Sequence, residues 1–345
     1  MRILELTFGT LEIMKTMSKH VHTLEKEVKR LSRLLHERED IEKLVIRRVD
    51  DSLKSYKWSP PKVPRKGRSR KHDEVCVIHL SDTQVGKLTN SYDSRIASQR
   101  IKQFGDTIQK LVTNRRTGAK VEAAVLMIGG DIVEGETIFS TQPWVVDSDL
   151  WDQAIKVAPR IVSDLILHLA GIFRSVHVAS VPGNHGRSAP KNTPSSPRTN
   201  FDMIATQITR LLVTNVCKDA RITWDIDHDN FYSIIPVLGH NILLIHGDQI
   251  SGGGGMGGYP LTGLARKIAG WSGSIPFDWE YIFLGHFHRP MAGVIQDKMF
   301  FGNGTTESDN EFALEVIGES GRPCQRVVFI NKEHGLVSDS LVWLD

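Results

Sequence analysis

The chain has 345 residues, of which 40% are hydrophobic and 24% are charged, and its formal net charge is +3. These values are typical of a globular protein and exclude a disordered or fibrous chain. The apolar runs are too short to span a membrane, and the first residues lack the pattern of a signal peptide. Three widely spaced cysteines, at least one of them unpaired, favour a reducing compartment. We therefore expect a soluble, cytoplasmic protein.

Residues 1–53 are predicted to form a helix with a short heptad repeat. Apolar residues recur in alternating steps of three and four, at Met14, Met17, Val21, Leu24, Val28, Leu31 and Leu35. Valine at one core position and leucine at the other favour a parallel two-stranded coiled coil, which predicts a homodimer. Because the repeat lasts only about three heptads, the alternative is a helix that packs against the rest of its own chain.

Residues 54–73 are predicted to form a basic, proline-rich linker. Eight lysines and arginines and no acidic residue lie between Lys54 and His72, with prolines among them. Proline interrupts a helix, so this stretch is expected to be extended. It is either a solvated spacer or an arm that binds a phosphate backbone, with Tyr56 and Trp58 available to stack on bases.

Residues 74–345 alternate between strand and helix patterns, which predicts a mixed α/β domain whose sheet is covered by helices. The predicted strands are residues 75–80, 123–128, 176–181, 231–237, 242–245, 281–284 and 291–295, and later strands with short connections follow. The predicted helices are residues 95–115, 150–173 and 201–213. Residues 188–200 are rich in Pro, Ser and Asn and read as a surface loop.

Five of the apolar runs end in residues that can bind a metal. The endings are SDTQ at 81–84, GGD at 129–131, GNH at 183–185, HGD at 246–248 and GHFH at 285–288. Ligands of open α/β sheets bind beyond the carboxyl ends of the strands, so these residues are expected to converge. Each ending alone is more often a turn or a structural residue. Five in succession are difficult to explain as an accident.

This series resembles the signature of the calcineurin-like metallophosphoesterase superfamily, which is D-x-H, G-D, G-N-H, H and G-H-x-H. The resemblance covers residues 75 to about 294. It implies an α/β fold, a four-layer α/β/β/α sandwich, with two divalent metal ions at the edge of the sheets. Two such ions acidify a water molecule and stabilise both oxygens of an in-line displacement at phosphorus. Manganese is the expected metal, with Mg, Fe or Zn also compatible with these ligands.

The resemblance also implies a role for each matching residue. The metal ligands would be Asp82, Gln84 and His288 for the first ion, Asn184, His246 and His286 for the second, and Asp131 as the bridge between them. His185 would be the catalytic histidine, which protonates the leaving oxygen or stabilises the charged transition state.

Gln84 departs from the family pattern, because the family has a histidine at this position. Three interpretations are open. Its amide oxygen ligates the first metal and favours Mn or Mg; or the amide binds a metal-bound water and leaves the first ion exchangeable; or the domain has lost its chemistry. The other seven positions are intact, which favours an active enzyme with a weakened first site.

Two further residues are candidates for catalysis. Glu134 either orients His185 or is a solvated loop acid, and Arg187 either contacts phosphate or is a plain surface residue. The phosphoprotein-phosphatase branch has a phosphate-binding arginine where Gly135 stands, and a glutamate follows its G-N-H where Gly186 stands. Both departures weaken the phosphatase interpretation.

Three functions are compatible with the sequence. The first is a DNA nuclease similar to the SbcD-type exonuclease branch, favoured by the basic arm and the predicted dimer. The chain lacks an obvious long helical region after the catalytic domain, which makes a partner ATPase doubtful. The second is a phosphodiesterase or phosphatase acting on small nucleotides or phosphorylated metabolites, with the glycine-rich residues 247–258 as a flap or a linker. The third is a catalytically disabled nucleic-acid-binding protein.

Overall fold

The computed structural model describes residues 26–30, 32–33, 40–41, 43–57, 73–138, 142–190, 193, 196–218, 221–226, 229–251, 260–308 and 322–345. The chain divides into two units, Met1–Asp51 and Ser52–Asp345. The described residues of the first unit are helical. Six of the seven predicted heptad positions lie outside the described residues, as do residues 58–72 of the basic linker. The coiled coil, the homodimer and the linker therefore stay predictions.

The second unit contains eleven described strands and five described α-helices. The strands are β1 Asp73–Leu80, β2 Lys120–Ile128, β3 Ser175–Ser180, β4 Ile222–Ile226, β5 Tyr232–Val237, β6 His240–Ile245, β7 Tyr281–Leu284, β8 Met291–Ile295, β9 Lys298–Gly302, β10 Cys324–Asn331 and β11 Gly335–Trp343. The helices are α1 Ser94–Arg115, α2 Leu150–Asp152, α3 Ala158–Ile172, α4 Phe201–Val216 and α5 Leu261–Ser274. A π-helical turn, Gln153–Val157, joins α2 to α3.

The strands form two sheets. The first has the order β11-β10-β1-β2-β3-β4, and the second has the order β5-β6-β7-β9-β8. In the first sheet β1 to β4 are parallel, while β10 and β11 add an antiparallel edge. In the second sheet β6, β7 and β9 are parallel. The parallel strands of each sheet therefore end on the same side, where ligands of α/β proteins bind.

Alternation along the strands divides the core into three layers of side chains. In β1, Cys76, Ile78 and Leu80 pack against α1, α3 and α4, while Val77 points between the two sheets. In β6, residues 242 and 244 point between the sheets, and residues 243 and 245 pack against α5. Because side chains alternate across a strand, each sheet buries both faces. The four-layer α/β/β/α sandwich is therefore confirmed.

All of the predicted strands and helices of the second unit are present, and five further elements accompany them. The seven predicted strands correspond to β1, β2, β3, β5, β6, β7 and β8, and the three predicted helices correspond to α1, the α2–α3 segment and α4. β4, α5, β9, β10 and β11 are not among the predicted ranges. Three glycines lower the helix propensity of α5, which forms because Leu264, Ile268 and Trp271 pack onto the second sheet.

Among the described residues, no helix combines the length and the apolar sequence that crossing a membrane requires. The cytoplasmic location stays a prediction.

Candidate metal centre

The polar strand ends converge, as the sequence predicts, and their backbone is strained. Five candidate residues have φ values in the left-handed region: 53° for Asp82, 40° for Gln84, 49° for Asp131, 68° for His286 and 56° for His288. Residues other than glycine rarely adopt this conformation, and where they do they are often functional. The sharp turns place these side chains beyond the ends of β1, β2 and β7.

A buried carboxylate holds the loop after β2 and the loop after β3 together. Asp202, at the start of α4, accepts hydrogen bonds from the backbone N–H groups of Asp131, Ile132, Val133 and Gly183, at 2.9 to 3.1 Å. Burial and the neighbouring Asp131 raise the pKa of Asp202 to about 6. This carboxylate fixes the loop after β2 against the loop after β3, and so places Asp131 beside the G-N-H residues.

His246, Asp131 and Asn184 form a cluster of facing acceptors. His246 Nδ1 lies 2.8 Å from the carbonyl oxygen of Gly129, so Nδ1 carries the hydrogen and a neutral ring presents a lone pair at Nε2. That Nε2 lies 3.0 Å from Asn184 Oδ1 and 3.0 Å from Asp131 Oδ2. Asp131 Oδ2 is buried without a hydrogen-bond partner. Converging lone pairs repel one another unless a cation lies between them.

Asp131, His246 and His286 each offer a ligand atom within 4.8 Å of the others. With Asn184 they supply one carboxylate, two imidazoles and one amide oxygen, a donor set that suits Mn, Fe or Zn. These residues therefore fit a divalent cation.

Without a metal, a proton takes the place of that cation. Burial by itself lowers the pKa of His246, but the Asp131 carboxylate outweighs this effect and raises the pKa to about 10. The pKa of Asp131 falls far below its usual value, because His246 and His185 outweigh the effect of burial. His286 lies beside the charged His246, and burial and this neighbour lower its pKa to about 3. A metal ion and the His246 proton compete for one position.

Asp82, Gln84 and His288, predicted for the first metal, also lie together. Unlike the facing acceptors around His246, they contact hydrogen-bonding groups of the protein. His288 Nδ1 lies 2.7 Å from Glu307 Oε1, and His288 Nε2 lies 3.3 Å from Asp82 Oδ1. Asp82 is fully buried and accepts hydrogen bonds from the Ser81 hydroxyl at 2.5 Å and the His286 backbone N–H at 2.9 Å. Each of these side chains already has a protein partner.

Gln84 lies between His288 and His185. Its Oε1 accepts a hydrogen bond from Lys87 Nζ at 3.2 Å. Its Nε2 lies 3.3 Å from His288 Nε2 and 3.5 Å from His185 Nε2. An ammonium group only donates, so Lys87 determines which end of the amide is the oxygen. The amide N–H groups, rather than the oxygen, therefore face the two rings.

His185 lies at the centre of the site, and Glu134 lies beside it. His185 Nδ1 is 2.9 Å from the Glu134 backbone oxygen and 3.3 Å from its carboxylate oxygen Oε2. Gln142 Nε2 donates to the same backbone oxygen at 2.6 Å. Burial lowers the pKa of His185, but Asp131 and Glu134 outweigh it and raise the pKa to about 9. The ring is therefore held with a proton on Nδ1 and with Nε2 facing the cluster.

Arg187 lies at the edge of the site, where its guanidinium forms an ion pair with Asp248. The predicted phosphate contact would have to compete with this carboxylate. Residues 252–259 of the glycine-rich stretch lie outside the described residues. The predicted flap therefore stays a prediction.

Four residues of the site were not singled out from the sequence: Lys87, Gln142, Asp202 and Glu307. Glu307 follows β9, just as the other site residues follow their strands, so identification of β9 would have indicated it. Lys87 comes directly after the SDTQVG segment, but nothing local shows that it turns towards the site. Gln142 and Asp202 carry no sequence signal that distinguishes them from ordinary loop and helix-start residues.

The four-layer sandwich and the convergent strand ends agree with the fold that the sequence resemblance implies. No family model matches the sequence, and no curated protein matches it either. Solved structures similar to the chain include a predicted phosphoesterase from Streptococcus pneumoniae, with 13% identity and a TM-score of 0.33 over 79% of this chain and 99% of that one. Vps29 with zinc from Entamoeba histolytica has 12% identity and a TM-score of 0.34, over 78% and 99% of the two chains.

An archaeal phosphodiesterase has 8% identity and a TM-score of 0.35, over 78% of this chain and 99% of that one. Likeness at this level transfers neither an activity nor a metal to the chain. The resemblance to the SbcD-type branch stays a prediction from the sequence.

Proposed function

We propose that the protein is a metal-dependent phosphoesterase that hydrolyses phosphodiester bonds. The observation that carries the proposal is the cluster of facing lone pairs on Asp131, Asn184 and His246, which needs a cation, directly beside His185. With His286 these residues would hold one divalent ion, most simply manganese. The second ion predicted from the sequence, at Asp82, Gln84 and His288, stays a prediction.

A bound divalent ion would polarise the phosphoryl group and lower the pKa of a water molecule. The chain itself supplies the remaining chemistry. Asp131 Oδ1 accepts the His185 backbone N–H at 2.8 Å, which fixes the ring beside the metal ligands. Glu134 keeps the hydrogen on Nδ1, so Nε2 is the atom that carries a proton towards a leaving oxygen. In the metal-free protein, Asp131 and Glu134 raise the pKa of His185 to about 9.

The cations near the site favour a diester over a monoester. Within the described residues, Lys87 pairs with Glu307, and Arg187 pairs with Asp248. A phosphate monoester carries up to two negative charges and is usually held by uncommitted arginine or lysine side chains. A diester carries one. With Lys87 and Arg187 already paired to carboxylates, the site matches the smaller charge.

We propose DNA as the substrate. The basic stretch before β1 would bind the phosphate backbone. Trp144 supports a strand-like substrate, because its side chain is 86% exposed and its segment is held against the site. Gln142, two residues earlier, donates to Glu134, and Val145 accepts the Leu88 backbone N–H at 2.9 Å. An exposed aromatic ring at this position would stack on a base. A homodimer through residues 1–53 would bring two such sites together.

The test is hydrolysis of bis(p-nitrophenyl) phosphate and of single- and double-stranded DNA, with Mn, Mg or Zn added to protein stripped of metal. His246→Ala removes the central ligand, and His185→Ala removes the proposed acid; we expect both variants to lose activity on every substrate. His334→Ala, on an exposed turn, is the matched control. Cleavage of the small diester without cleavage of DNA would replace DNA by a small phosphodiester. Activity that survives in His246→Ala would refute the proposal.

A further inference from the structure

The two halves of the predicted dinuclear centre differ in one physical respect. The half built on His246 presents lone pairs to one another and needs a cation. In the half built on His288, the protein itself supplies the hydrogens and the positive charge.

Lys87 supplies that charge. Its side chain is only 13% exposed, and its ammonium group forms an ion pair with Glu307, which is itself buried. The ammonium group lies between the Glu307 carboxylate and the amide oxygen of Gln84, so a charged group is built into the site. Its contribution is fixed in position and needs no ion from solution.

Lys87 also fixes the orientation of Gln84. The ammonium group donates to Gln84 Oε1 at 3.2 Å, which leaves Gln84 Nε2 facing His288 Nε2 at 3.3 Å. Glu307 Oε1, 2.7 Å from His288 Nδ1, fixes the ring so that Nε2 faces Gln84 Nε2 and the Asp82 carboxylate. The ring nitrogen that a first metal would use is thus faced by the N–H group of Gln84, which cannot ligate a metal.

We propose that the Lys87 ammonium replaces the first metal ion, so that the protein binds a single divalent ion at Asp131, Asn184, His246 and His286. The inference deepens the proposed function and rests on it for the identity of that one metal site. Gln84 is then the partner of a lysine rather than a weakened metal ligand. Lys87 acts as a positioning residue, because it holds Gln84 and Glu307 and through them the His288 ring.

The experiment is to count bound ions. Metal-free protein is titrated with Mn(II) by calorimetry, and the metal content after gel filtration is measured by atomic emission. The full-length parent should bind one equivalent, with the uncoupled electron paramagnetic resonance signal of a single Mn(II). The variant Gln84→His/Lys87→Met supplies an imidazole and removes the ammonium, and should bind a second equivalent at least about 10-fold more tightly than the parent does.

Two controls separate the role of Lys87 from its neighbours. Gln84→His alone keeps the Lys87–Glu307 pair and should still bind one equivalent. Lys110→Met removes an exposed lysine of α1 and should leave the count unchanged. Circular dichroism confirms that each variant is folded, and the parent protein alone already tests the count.

Two equivalents of comparable affinity in the parent, or a coupled dinuclear signal, would overturn the inference, and so would a double variant that still binds one. If the parent binds two ions and hydrolyses diesters, only this inference fails. If it binds none and hydrolyses nothing, the proposed function fails with it.

Discussion

Gly183 offers the most direct test of how the site is assembled. It is the glycine of the G-N-H motif, and it packs directly against the loop that carries Asp131. A Cβ atom added at Gly183 would lie 2.1 Å from Asp131 Oδ1 and 2.2 Å from the Asp131 backbone nitrogen. Ordinary carbon contacts are about 3.5–4 Å. Gly183→Ala therefore forces the two loops apart by more than an ångström.

The expected loss has two parts. Overpacking of a tightly packed position costs about 1–3 kcal/mol. If the Gly183 N–H then moves away from the Asp202 carboxylate, which it contacts at 2.9 Å, a hydrogen bond to a charged group is lost, at about 1.5–3 kcal/mol. The sum is about 2.5–6 kcal/mol, a large share of the roughly 5–15 kcal/mol that stabilises a typical domain. Displacement of Asp131 should also weaken metal binding by at least about 10-fold.

The assay is urea unfolding of the metal-free protein together with calorimetric titration of Mn(II). Gly270→Ala is the matched control, because Gly270 lies in the exposed interior of α5 with nothing within 4 Å of an added Cβ. That substitution should raise the free energy of unfolding by about 0.5–1 kcal/mol. If Gly183→Ala unfolds like the parent and binds Mn(II) equally well, the close approach of the two loops does not assemble the site.

Three further predictions concern pH, catalysis and substrate binding. The pKa of His246, about 10 beside Asp131, exceeds its unfolded value of about 6.5, so this histidine stabilises the metal-free protein below pH 6.5. That stability is lost as the pH rises towards 10, and the melting temperature should fall over this range while stabilisation by Mn(II) grows. Glu134→Gln should lower kcat by about 10- to 100-fold and move the basic limb of the pH–rate profile to lower pH, because the Glu134 carboxylate raises the pKa of His185. Trp144→Ala should weaken binding of single-stranded DNA by about 1–3 kcal/mol, with little change in turnover of bis(p-nitrophenyl) phosphate.

Each of these predictions has a result that contradicts it. A melting temperature that rises between pH 6.5 and 10 without metal would show that His246 is not held as a cation by Asp131. If the basic limb of the pH–rate profile is unchanged in Glu134→Gln, Glu134 has only a packing role. Trp343→Ala, at another partly exposed tryptophan, is the control for DNA binding, and an equal loss in both variants would remove Trp144 from the substrate site.

The local sequence indicated most of the fold, because the strongest strands and helices can be recognised from the pattern of apolar residues within each segment. β1 and β6 are visible in the sequence as short continuous apolar runs, because both faces of each strand are buried in the layers of the core. β4 does alternate between apolar and polar residues, but it is an edge strand of only five residues, so its signal is short. α5 was missed because packing onto the second sheet, rather than propensity, stabilises it.

The sequence by itself also determined where the chemistry lies, since strand ends followed by Gly and by Asp, Asn or His can be read residue by residue. Only the tertiary structure decided what those residues face. Lys87 meets Glu307 because β1 and β9 belong to different sheets whose ends open onto one site. The Lys87–Glu307 ion pair places the ammonium group beside Gln84 Oε1 and so sets the orientation of the Gln84 amide. No local sequence pattern encodes the orientation of an amide. Spacing along a chain fixes which side chains share an edge, whereas the contacts between distant loops fix which atoms point at one another.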